Sequence, residues 1–185
     1  IRGCVPKKLF AYSAHLGLLF DDASSYGWLL PKPHFDWSKM LENKNREIDR
    51  LNRIYEELLQ KAGVTSFKGR AHFLDPHTLA FADQKVRARN ILVATGSTPC
   101  KTEIPGSEHA VTSDELFEMK RLPQNIVVVG GGYIAVEFAG ILAGWGKDVE
   151  LVYRGEPILR GFDADIRRSV QTHLQELGVK LSLRR

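Results

Sequence analysis

Three groups of residues combine types and spacings that could do chemistry. The first surrounds Cys4 in "IRGCVPKKLF". Pro6 starts a helix just after the cysteine, with Lys7 and Lys8 in its first turn, so helix dipole and ammonium charge both favour a thiolate. The ordinary alternative for a lone cysteine is a buried small hydrophobe, and the residues by themselves stop at a reactive thiol. The second group is Gly130, Gly132 and Ala135 in "VVVGGGYIAVEFAG", the spacing G-x-G-x-x-A between a strand and a helix. Gly130 permits the tight turn, Gly132 lets backbone approach a pyrophosphate, and Ala135 keeps the helix near the strand. The helix N-terminus offers free N–H groups to the phosphates. The third group follows the next strand, which ends in Tyr153, then Arg154, with Arg160 six residues on. A site for NAD usually carries a carboxylate there for the ribose hydroxyl. Guanidinium groups fork onto a 2′-phosphate instead, so this end favours NADP; Glu156 and Asp163 are near but off the expected position.

The elements that must position these groups follow from periodicity. "KKLFAYSAHLGLLF", 7–20, fits a largely buried helix. Asp36 caps a long helix running to about Ala62, with Gly63 as its stop. Its apolar stripe is Trp37, Met40, Leu41, Ile48, Leu51, Ile54, Tyr55, Leu58 and Leu59; Arg, Asn, Glu and Lys fill a solvated opposite face. "VTSFKG", "AHFLD", "TLAFAD" and "KVRAR" read as short strands, with "DPHT" as a turn. "NILVATG", 90–96, reads as a buried strand, and 97–110 as a linker by its prolines and lack of period. A second buried strand precedes the glycine turn, a helix runs from Tyr133 to Trp145, and "DVELVY" is a third strand. A helix over 163–177 and a strand in "VKLSL" complete a parallel unit. The fold class is therefore α/β.

Composition narrows the function. Hydrophobic residues at 43% suffice for a core, and charged residues at 26% with net charge +4 are mixed along the chain. No basic block stands alone, so nucleic acid is not an expected partner. No apolar run reaches the roughly 18 residues of a membrane span, so no membrane is expected either. Two cysteines, Cys4 and Cys100, make no disulfide framework, which points to an intracellular, cytoplasmic setting.

Whole motifs resemble a known family. "IRGCVPKKL" resembles the second half of the redox-active disulfide motif C-V-x-x-G-C-V-P-K-K of the glutathione reductases, class I pyridine nucleotide-disulfide oxidoreductases. "VVVGGGYIAVEFAGIL" resembles that family's NADPH turn, and "NILVATGSTP" its link between flavin and NADPH domains. Related lipoamide dehydrogenases and mercuric reductases carry Pro-Ser-Lys where this chain has Pro6-Lys7-Lys8. The resemblance implies parts of two Rossmann-like dinucleotide-binding domains: 1–98 for FAD, with a small antiparallel β-meander, and 99–185 for NADPH. It places the first cysteine of the pair two positions before Ile1, so an inactive internal fragment is expected. The FAD glycine turn and the dimerisation domain with its catalytic His–Glu pair are then missing.

By the resemblance, Cys4 is the flavin-side cysteine, and Lys7 the lysine beside the flavin N5, with Glu137 as its partner. Tyr133 matches the tyrosine that covers the flavin until nicotinamide enters. Gly131, Ile134, Arg154 and Arg160 match NADPH contacts; Ala71, Thr95 and Gly96 match FAD contacts. Tyr55 matches a contact to glutathione, with core or interface packing as its ordinary alternative. Glu137 on an apolar helix would be costly unpaired. Gly131 replaces a commoner alanine, expected to be a neutral change. Arg2 adds charge beside the disulfide, and Cys100 has no role. The implied activity of the full-length homodimer is hydride transfer from NADPH to FAD, then through the cysteine pair to glutathione disulfide. Trypanothione or thioredoxin are rival substrates of the same class. A non-catalytic NADPH-binding module or redox sensor is the rival from another class.

Overall fold

The computed structural model describes residues 3–29, 31, 33–101 and 103–185. Arg2 lies outside them. Chain order is α1 (Cys4–Ala23), α2 (Trp37–Lys61), β1 (His72–Asp75), β2 (Thr78–Phe81), β3 (Gln84–Arg87), α3 (Ser113–Leu116), β4 (Asn125–Val129), α4 (Tyr133–Gly144), β5 (Asp148–Tyr153), α5 (Ala164–Glu176) and β6 (Lys180–Leu183). The first three strands form an antiparallel meander, and β4, β5 and β6 a parallel sheet in that order. The α/β class with its meander is therefore present.

Helix ends follow local chemistry. Asp36 caps α2, its Oδ1 accepting from the Lys39 N–H at 3.0 Å and the Ser38 hydroxyl at 2.6 Å. Gly63 follows at φ +70, the left-handed geometry that ends helices at glycine. Asp163 caps α5 through the amides of Asp165 and Ile166.

One aromatic core joins the two halves. Phe10 of α1 is fully buried, with ring centroids 5.3 Å from Trp37, 5.1 Å from Trp145 and 5.6 Å from Phe117. Phe35 stacks on Trp145 at 4.9 Å. Both buried indoles are satisfied: Trp37 Nε1 donates to the Met119 carbonyl at 2.8 Å and Trp145 Nε1 to Ser13 Oγ at 3.2 Å. Residues of α4 and β5, including Ala139, Leu142 and Leu151, continue this core into the parallel sheet.

Four expectations fail. Residues 90–96 are not a strand; Leu92 is 90% exposed and the stretch pairs with nothing among the described residues. A buried parallel strand needs neighbours on both edges and cover on both faces, and none stands there. Residues 64–69 are also irregular. β4 is covered on one face only, by Ile126 and Val128, while Val127 and Val129 are exposed. The α1 helix starts at Cys4 rather than after Pro6 and buries one side; Tyr12, Leu16, Leu19 and Phe20 are exposed.

Candidate functional site

Cys4 is the first residue of α1 and is exposed. Gly3, the N-cap, has no side chain to occupy the first-turn amides, so the thiol sits at a helix end with open N–H groups. Lys7 stands one turn further along, and its Nζ lies 2.5 Å from Glu137 Oε1 of α4. Glu137, half-buried on its apolar helix, thus has a partner. Small residues set the approach of the two helices. A Cβ on Gly17 would lie 2.9 Å from the Gly144 carbonyl oxygen, and one on Gly144 would lie 3.0 Å from the Ala14 Cβ. Tyr133 opens α4 one turn before Glu137 and is 60% exposed.

The glycine turn is tight and leaves open space beside the helix end. Gly130 has φ +141, and a Cβ there would lie 3.3 Å from the Ala135 Cβ, so turn and helix pack closely. Gly132 is the N-cap of α4, without a capping side chain, and a Cβ on it would meet nothing within 4 Å. That open space lies in front of the uncapped first turn, where Tyr133 and Ile134 are exposed.

The loop after β5 completes this end. Arg154 and Arg160 are exposed, and no ion pair joins either among the described residues. The neighbouring carboxylates are engaged elsewhere: Glu156 pairs with Arg184 at 2.5 Å, and Asp163 caps α5. Both guanidinium groups are therefore free for an anion. The loop itself is tethered. The Leu159 N–H donates to the Gly131 carbonyl at 2.6 Å, and Arg167 of α5 donates to the carbonyls of Ile158 and Pro157 at 2.8 and 2.6 Å. Gly131 is not a neutral replacement. A Cβ there would come within 2.5 Å of the Tyr153 ring, and one on Gly155 within 2.9 Å of the same ring. Neither glycine has positive φ; both make room for the tyrosine.

The structure brings Lys7 and Glu137 together, and groups Gly130, Gly131, Gly132, Ala135, Arg154 and Arg160 at one end of the parallel sheet. It does not draw Ala71, Thr95 or Gly96 into either group; each is exposed on irregular chain. Tyr55 is exposed on α2 beside Leu58 and Leu59. Sequence reasoning missed Lys44, assigned with the other lysines to a solvated face. It is 2% exposed, and its Nζ donates to the Phe117 carbonyl at 2.8 Å and to Glu118 Oε1 at 3.1 Å. Its place in the 37–41–44–48 stripe was the available signal. Arg167 and the Tyr153 ring were missed too, and only the folded loop reveals them. Among the described residues both cysteines are free, no group of side chains is arranged to hold a metal, and no helix is long and apolar enough to cross a membrane.

A family model described as pyridine nucleotide-disulphide oxidoreductase matches residues 1–185. The chain is 42% identical over 181 residues to a protein named glutathione reductase from Nostoc sp., covering 98% of this chain and 39% of that one. To a Burkholderia cepacia protein of the same name it is 40% identical over 183 residues, covering 99% of this chain and 41% of that one. Further relatives carry the names thioredoxin reductase and trypanothione reductase. Among solved structures, the copper(II) complex of the HOCl-induced flavoprotein disulfide reductase RclA from Escherichia coli is similar, with a TM-score of 0.79 at 26% identity over 99% of this chain and 39% of that one. The chain spans about two fifths of the length of the curated relatives it matches.

Proposed function

The chain belongs to the pyridine nucleotide-disulphide oxidoreductase family, and on that premise we propose that it is part of an NADPH-dependent, FAD-containing reductase of glutathione disulfide. The observation that carries the reading is the Lys7–Glu137 pair, which ties the helix of the reactive cysteine to the helix of the dinucleotide turn. When bound, NADPH and FAD supply the reducing electrons. The residues of the chain hold, orient and exchange.

The open space at Gly132 and the α4 amides take the pyrophosphate. Arg154 and Arg160 take the 2′-phosphate, and Gly130, Gly131, Ile134 and Ala135 shape the surface on which the dinucleotide lies. Lys7, oriented by Glu137, faces the flavin, and Tyr133 covers the nicotinamide side. Ala71, Thr95 and Gly96 contact FAD through exposed chain, and Tyr55 touches glutathione. Residues 1–98 form the FAD side and 99–185 the NADPH side of a cytoplasmic homodimer.

Cys4 is one half of a redox-active pair. Its partner thiolate attacks glutathione disulfide, releasing one glutathione and forming a mixed disulfide. The Cys4 thiolate then attacks that bond on the partner's sulfur, which releases the second glutathione and closes the pair's disulfide.

The test is NADPH oxidation by the whole protein that contains this chain, with glutathione disulfide. It is run beside NADH and beside Cys4→Ser. Rapid turnover with NADPH, much slower turnover with NADH, and loss in the variant are expected. Bound flavin and NADPH oxidation without a glutathione-dependent rate would redirect the substrate to trypanothione or thioredoxin, whose reductases are also among the relatives. Absence of bound flavin would favour a non-catalytic NADPH-binding module.

A further inference from the structure

The loop between β5 and α5 carries Arg154 and Arg160, yet among the described residues neither arginine is held in place by a partner of its own. Their positions depend on the loop backbone. That backbone has an unusual shape: Leu159 has φ +58, which a leucine adopts only where its surroundings force it. The forcing groups are visible. Ile158 is fully buried and Leu159 is 6% exposed. The Leu159 N–H is bonded to the Gly131 carbonyl of the phosphate turn. On the other side the Arg167 guanidinium is forked over two successive carbonyls, those of Pro157 and Ile158. A guanidinium committed in this way is a brace rather than a phosphate ligand.

We propose that Arg167 is a positioning residue for cofactor selection: it braces the 154–160 loop against α5 so that the loop presents Arg154 and Arg160 to the adenosine 2′-phosphate. The inference rests on the NADPH reading above and deepens it. Gly131 is the second anchor, so the pyrophosphate turn and the 2′-phosphate loop are fastened to each other.

The test uses the whole protein and two ligands that need no turnover, adenosine 2′,5′-bisphosphate and AMP, with binding followed by calorimetry. Arg167→Leu should weaken adenosine 2′,5′-bisphosphate by roughly tenfold, the scale of a charge-assisted hydrogen bond, and leave AMP within about twofold. The KM for NADPH should rise in parallel while kcat at saturation holds. Arg167→Lys keeps the charge but cannot fork over two carbonyls, so it should lose several-fold as well, and it serves if the leucine variant does not fold. Equal losses for both ligands, or full affinity in Arg167→Lys, would overturn the proposal in favour of a structural or purely electrostatic role. If the unchanged protein binds both ligands alike, the NADPH reading itself falls and takes this one with it. A 2′-phosphate preference that survives Arg167→Leu removes only the role of Arg167.

Discussion

Single residues in this protein are constrained by neighbours that no motif records. Gly131 sits inside a glycine turn where conformational freedom is the usual explanation, but its φ is not positive, and what forbids a side chain is the Tyr153 ring. Gly131→Ala should therefore cost about 1–3 kcal/mol through overpacking. Adding Tyr153→Val should recover most of the loss, since residues in contact couple; denaturant melts of the four combinations measure it. Simple addition of the two single effects would refute the contact. The glycine spacing itself was readable because it answers to a ligand common to many chains. The ring was not, because its seat depends on where β5 ends relative to α4.

Secondary elements were legible where their ends are made of local chemistry. The start of α2 was readable from Asp36, and the structure supplies its bonds. The Ser38 hydroxyl first, and the Lys39 amide second, hold the Asp36 carboxyl below its usual range. A lowered folded value means that the cap's contribution is complete above the unfolded value of about 4 and is lost as pH falls through the folded one. Helicity followed by circular dichroism should decline in that acidic window, and Asp36→Asn, a neutral cap, should remove Asp36's share of the decline. An unchanged acid profile in the variant would show that the cap does not titrate with the helix. Strands fared worse. "NILVATG" has the apolar run of a buried strand, but a parallel strand is made by its neighbours, and none of the described residues lies alongside it. The burial of Lys44 was hidden for a related reason: its acceptors, Phe117 and Glu118, come from 73 and 74 residues away.

At the scale of the whole molecule, one core joins both halves, and apolar residues stand exposed outside it. Val127 and Val129 line the bare face of β4, and Leu92 and Val93 stand in solvent. Produced as these 185 residues alone, the chain should self-associate and bind an apolar dye such as ANS, by sedimentation and fluorescence. A monomer that leaves the dye dark would mean that these surfaces find cover within the chain. The parallel unit of β4, β5 and β6 and the glycine turn were both foreseeable, whereas the strand order and the joint between the halves were not. The joint is built from Phe10, Trp37 and Trp145, which as isolated residues mark only hydrophobic positions.

The contact of Gly17 with Gly144 has a mechanical consequence. At that crossing no side chain separates the two backbones, so α1 and α4 have no room to draw closer there. Tyr133, exposed at the tip of α4, stands apart from that crossing, so its ring can turn about its own bonds without moving the helix beneath it; under the proposed function that freedom is what lets nicotinamide reach the flavin.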